Sequence, residues 1–136
     1  MKTVLLSIKP EFAEKIFDGT KKYEFRKSIF KSTDVQKVVV YASTPVRKVI
    51  GEFSIMEILS DNVETIWKET SRYSGISYDF YMSYFANKEK AYAIRIGKTT
   101  RYRQARNLSD YNLSFAPQSF TYLSNKDLLS NKTNTQ

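Results

Sequence analysis

Neither cysteine nor histidine occurs anywhere in the 136 residues. Their absence excludes disulfides, thiol nucleophiles, imidazole bases, Ser-His-Asp triads and the ligand sets of zinc ribbons. Glycine (4), proline (3) and tryptophan (1) are scarce. Acidic residues are in deficit, 14 against 22 lysines and arginines, which leaves a formal charge of +8 at pH 7. The acids are scattered without EF-hand spacing, so neither a metal nor a cofactor is expected. Long apolar runs are missing as well. Val4 to Ile8 follows Lys2 as in a signal sequence, but Ser7 interrupts it and Lys9-Pro10 end it. The run is too short for a secretory core and far below the roughly 18 residues of a membrane span. A cytoplasmic protein with no membrane partner is the expectation.

The composition that remains, 41% hydrophobic and 26% charged, is that of a folded chain the size of one ordinary domain. Val4 to Ile8 reads as a buried strand. Pro10, Glu11 and the stripe Phe12, Ile16, Phe17 predict a helix closed by Gly19. Lys21 to Arg26 alternates as a second strand, and Lys37 to Ala42 is the strongest strand signal in the chain. Val46 to Leu59 predicts a long strand with a bulge or close backbone approach at Gly51. Asp61 with Glu64 has capping spacing for a helix through Val63, Ile66 and Trp67. Ser77 caps a second helix bearing Phe80, Tyr81, Tyr84 and Phe85. Lys90 to Gly97 is again a strand, with Thr99 to Arg106 continuing it or forming a hairpin arm. The order β-α-β-β-β-αα-β-β predicts an α+β fold with a mainly antiparallel, barrel-like sheet and flanking helices. One domain over residues 1–123 is expected, followed by a polar, disordered tail at 124–136.

Two basic stretches interleave with aromatics. KKYEFRKSIFK (21–31) carries five basic residues and one acid, and RIGKTTRYRQAR (95–106) carries five and none. Cations neutralise phosphates and aromatic faces stack on unpaired bases, so the mixture suits single-stranded or structured RNA. Charge alone does not separate RNA from DNA or an acidic protein, and DNA ranks behind RNA as the expected partner. A solvated strand face with aromatics in the core fits the same letters. Gly97-Lys98-Thr99 ends like a phosphate loop but lacks the upstream glycine.

GTKKYEFR (19–26) is the second feature. A lysine beside a carboxylate can be a buried ion pair, a proton-transfer pair, or a donor-and-acceptor set that reads a base edge. Strict alternation places Glu24 and Arg26 on one face and Lys21 on the other, unless a bulge rotates Lys21.

GTKKYEFR matches the G-x-K-x-x-E-x-R signature of the ASCH (activating signal cointegrator homology) domain. The chain also resembles that family in LLSIKPEFAEKIFDG, VVVYASTPVRKVIGEF, AYAIRIG and APQSF, in the right order over roughly residues 3–123. The insertion with Trp67 and GIS (75–77) resembles the prokaryotic forms. The resemblance implies a PUA-like β-barrel whose cleft is walled by the first helix and the signature strand. It implies RNA binding, in some members linked to transcription or translation, and in a few small members ribonuclease or acetylcytidine amidohydrolase activity. Carried over, the cleft residues are Lys21, Glu24, Arg26, Ser43, Pro45, Gln118 and Ser119, with Lys21 and Glu24 catalytic if the protein is an enzyme. In the amidohydrolases a threonine partners the lysine where this chain has Glu24, a departure that weakens that activity here. From the basic stretches, Lys22, Arg101 and Arg103 join the RNA-contacting set. Three functions stay open: an RNA-binding module, a small RNA-processing enzyme centred on Lys21 and Glu24, and a protein-interaction module using the aromatic helix near residue 80.

Overall fold

The computed structural model describes residues 2–124; of the tail expected at 124–136, all but Ser124 lies outside them. In chain order the elements are β1 (Lys2–Ile8), α1 (Pro10–Phe17), β2 (Tyr23–Arg26), β3 (Val35–Ala42), β4 (Lys48–Asn62), α2 (Val63–Thr70), α3 (Tyr78–Tyr84), β5 (Lys90–Arg106) and β6 (Phe120–Leu123). The strands form one six-stranded sheet in the order β2-β5-β4-β3-β1-β6. Of its neighbouring pairs only β1 with β3 is parallel; the rest are antiparallel. The α+β class holds.

Closure into a barrel does not. The two ends of the sheet, β2 and β6, are four-residue strands, and each has a single ladder partner, β5 and β1 respectively. Side chains bridge the remaining seam. Arg26, the last residue of β2, donates from Nη1 to Ser7 O (3.4 Å) and from Nη2 to Ser119 O (3.3 Å) and Ser119 Oγ (2.8 Å). A guanidinium spans a gap that two short strands leave without a ladder.

The apolar run of β1 sits on a strand buried on both faces. Val4, Leu6 and Ile8 pack with Val38, Val40 and Ala42 beneath α1, while Leu5 joins Val39, Tyr41, Val49 and Tyr111 on the other side. The third cluster lies under α2 and α3, where Val63, Ile66, Tyr81 and Phe85 cover Phe25, Ala91 and Ala93. Gly51 marks the expected close approach. A Cβ there would meet Phe17 Cζ at 2.5 Å and Thr100 O at 2.6 Å, and both ladders of β4 shift register beside it.

Several boundaries differ from the sequence reading, and the strand β6 was not expected from it. β4 runs three residues beyond Leu59, so Asn62 rather than Asp61 caps α2, accepting from Thr65 N at 2.8 Å. β5 is one strand of 17 residues, and its hairpin with β4 carries α2 and α3 at its tip. Ser77 caps α3 as expected. No helix among the described residues is long and apolar enough to cross a membrane.

Candidate functional site

A cavity of about 450 Å³ opens along the seam, a volume in the range of small-molecule sites. Its apolar wall includes Phe12 from α1, Phe25 from β2, Tyr41 from β3 and Phe80 and Tyr84 from α3. Its polar groups are Lys9, Lys21, Glu24, Arg26, Ser7, Ser43, Thr44 and Gln118. The parity expectation for Lys21 fails here. β2 starts only at Tyr23, so Lys21 lies in the turn after α1, outside the ladder, and enters the cavity beside Glu24 and Arg26.

Lys21 is 2% exposed. Its Nζ donates to Ser74 O at 2.7 Å and lies 4.7 Å from the Phe25 ring centroid and 5.5 Å from that of Phe12. Burial pushes the ammonium down from its ordinary 10.5 to about 8, against the pull of the Glu24 carboxylate. Glu24, 6% exposed, accepts from Arg26 Nη1 through Oε2 at 3.1 Å. The floor thus holds a lysine that can shed its proton near neutrality and a carboxylate locked to an arginine. Burial and the neighbouring Glu24 raise the Tyr84 hydroxyl, although Arg26 opposes them.

The turn between α2 and α3 fixes Lys21 from behind. Lys22 N donates to Tyr73 O (2.8 Å), Lys15 Nζ to Gly75 O (2.9 Å), and Ser74 Oγ to the carbonyls of Ser71 and Ile76 (3.0 Å each). Gly75 has φ +71°, and a Cβ there would sit 2.7 Å from Lys21 Cβ and 2.8 Å from Cγ. Gly75→Ala is expected to destabilise the fold by about 1–3 kcal/mol through left-handed strain and overpacking, read from urea midpoints. An unchanged midpoint would mean the turn yields and does not hold Lys21.

Of the residues expected from sequence, Lys21, Glu24, Arg26, Ser43 and Gln118 line this cavity. Ser119 belongs through its bonds to Arg26. Pro45 does not line it; the neighbouring Thr44 does. Lys22 is exposed, with Nζ against the Tyr73 ring. Arg101 and Arg103 are exposed away from the cavity, because the far half of β5 runs past it. Arg101 is paired bidentately with Glu14 of α1, at 2.6 and 2.8 Å. Both partners are about half exposed, so Arg101→Ala is expected to shift stability by less than about 1 kcal/mol in a thermal melt.

Sequence reasoning did not assign Phe12, Tyr41 and Thr44 to the site, and offered the aromatic helix near residue 80 as a protein-interaction surface. The structure divides that helix: Tyr81 and Phe85 are core, while Phe80 and Tyr84 face the cavity. Trp67 is half buried against Tyr78 and Tyr81, in the helical packing expected of it. Among the described residues no group of three or more acids is placed to hold a metal ion.

Residues 6–100 match the family model of the ASCH domain. The chain belongs to the ASCH domain family. It is 34% identical over 125 residues to an ASCH domain-containing ribonuclease of Zymomonas mobilis, covering 90% of this chain and 84% of that protein. The crystal structure of ASCH from Zymomonas mobilis superposes with a TM-score of 0.89 at 31% identity, covering 97% and 94% of the two chains. A stretch of a protein named ATP synthase subunit alpha, from Ureaplasma parvum, is 36% identical over 122 residues, or 89% of this chain. The ASCH chain spans only 15% of that protein's length, and 39% of a second relative from the same organism.

Proposed function

We propose that this ASCH protein binds RNA and cleaves it, with one nucleotide of the strand held in the seam cavity. The observation that carries the reading is the cavity floor: a buried Lys21 titrating near pH 8 beside the Glu24–Arg26 pair, under an aromatic wall that suits a base. The ribonuclease name of a relative that this chain covers almost end to end supports it.

RNA transesterification joins the ribose 2′-oxygen to phosphorus and breaks the bond to the leaving 5′-oxygen. One proton must leave the 2′-hydroxyl, one must reach the leaving oxygen, and the phosphoryl charge must be balanced. Neutral Lys21 takes the 2′-proton and, as the ammonium so formed, delivers it to the leaving 5′-oxygen. The Glu24 carboxylate accepts a hydrogen bond from the attacking hydroxyl and holds Arg26. Arg26, whose two Nη groups already make four hydrogen bonds, balances the phosphoryl charge through its fixed positive charge. In this role Glu24 is the feature that separates the chain from amidohydrolases bearing threonine there.

A second reading, binding without turnover, is favoured by one observation: Lys21 Nζ already has Ser74 O and two aromatic faces as partners. The test is to incubate the protein with single-stranded RNA of mixed sequence, with and without divalent cation, beside Lys21→Met. Cleavage by the native protein that disappears in the variant supports the first reading. Retention of RNA without product supports the second, and neither retention nor product removes both.

A further inference from the structure

The cavity mouth carries features that a single bound nucleotide does not use. Phe115 is 81% exposed, the most exposed large hydrophobic side chain among the described residues, and the next three residues, Ala116 to Gln118, form part of the cavity wall. This loop is anchored on its inner side: Ser7 Oγ donates to Pro117 O at 2.7 Å, and Arg26 holds Ser119. Phe115 therefore stands in solvent at the edge of a fixed wall. On the same cavity α3 presents Phe80 and Tyr84, each with a lysine beside its ring. Lys9 Nζ is 5.7 Å from the Phe80 centroid and Lys27 Nζ is 4.7 Å from that of Tyr84. Neither lysine has a carboxylate within salt-bridge distance among the described residues.

We propose that Phe115 is a stacking platform for the nucleotide adjoining the one in the cavity, with Lys9 and Lys27 taking the flanking phosphates. The site then engages two consecutive nucleotides of a single strand. The proposal rests on the reading of the cavity as a nucleotide site. An exposed phenyl ring is a poor surface in water and a good one under a base, since every base has a π-face. Rim lysines free of acidic partners supply charge for the backbone that must enter and leave the mouth. An apolar protein partner would leave two unpaired ammonium groups at the edge of its contact, which disfavours that occupant.

The test measures equilibrium binding of a mixed-sequence heptaribonucleotide and of mixed nucleoside 5′-monophosphates to Phe115→Ala, Phe115→Trp and Lys9→Ala/Lys27→Ala. Phe115→Ala is expected to weaken the heptamer about tenfold or more while leaving the mononucleotides unchanged, and Phe115→Trp to retain affinity. The double lysine variant is expected to lower the slope of log affinity against log salt by about 1.4, for two single-strand phosphate contacts. Native heptamer affinity in Phe115→Ala would overturn the proposal, and so would an equal loss for mononucleotides, which would place Phe115 in the cavity itself. If native protein binds neither probe, the cavity reading fails with it. Mononucleotide binding that is lost in Glu24→Gln, with Phe115→Ala silent, leaves the cavity reading standing and removes only the second subsite.

Discussion

Lys21→Met is expected to abolish RNA cleavage, leave the protein folded, and flatten its stability profile in alkali. Methionine keeps most of the length and the apolar character of the stem, but it lacks the Nζ that lies over the Phe12 and Phe25 rings and has no proton to move. The sign of the pH effect follows from where the proton is held. In the unfolded chain Lys21 keeps its proton to about 10.5, whereas in the fold it releases it near 8. Between those values the unfolded state binds more protons, so native stability rises as pH rises through the window. Below pH 8 the fold carries the full cost of a buried ammonium, about 3 kcal/mol for a displacement of this size. Urea midpoints at pH 7 and pH 10 should therefore converge in the variant relative to the native protein, since the other lysines and tyrosines titrate in both. Activity should move with the same group: if neutral Lys21 is the base, cleavage rises towards pH 8 and then levels. A variant that still cleaves, or that keeps the native pH dependence of stability, would remove Lys21 from the chemistry.

The legible parts of this protein are those where local pattern and tertiary environment agree. Val4 to Ile8 and Val38 to Ala42 announce strands buried on both faces, and the Pro10-to-Gly19 frame fixes α1 before any packing is known. The G-x-K-x-x-E-x-R spacing placed Lys21, Glu24 and Arg26 in one candidate site, and Ser43 and Gln118 came with it through family resemblance. What was hidden depends on contacts distant in sequence. Period-two alternation put Lys21 on the wrong face, because whether Lys21 joins the ladder depends on where β2 begins opposite β5. The turn at 71–76 that backs Lys21 lies more than fifty residues away, and no spacing rule relates the two. Phe80 and Tyr81 are neighbours with identical propensity; only the packing of α3 decides that one lines a cavity and the other fills a core. The barrel expectation failed for a comparable reason. Strand count and mostly antiparallel order suit closure, but closure is decided at two short edge strands whose junction is made by side chains.

Arg26→Met is expected to be the most destabilising single change at this site, by about 3–5 kcal/mol at pH 7, because it leaves a buried carboxylate without its partner. The Arg26 and Glu24 side chains are only 12% and 8% exposed. The same substitution removes the bridge from β2 to Ser7 and Ser119, although Ser119 O retains a backbone donor in Ser7 N at 3.2 Å. Two causes therefore act together, and a double-mutant cycle separates them. If the orphaned charge dominates, Arg26→Met/Glu24→Gln regains most of the loss, since the amide carries no charge to bury. If the seam dominates, the double variant stays as unstable as Arg26→Met, while Ser119→Ala alone shows a smaller loss of about 1 kcal/mol for its hydroxyl contact. The two causes also differ in pH dependence. In Arg26→Met the unpaired Glu24 is pushed by burial towards its neutral form, so the deficit should shrink as pH falls and the folded state takes up that proton. A seam defect has no such dependence. Recovery at low pH together with rescue by Glu24→Gln would assign Arg26 chiefly to neutralising Glu24. A loss below about 1 kcal/mol in Arg26→Met would contradict both accounts, because it falls in the range of an exposed ion pair.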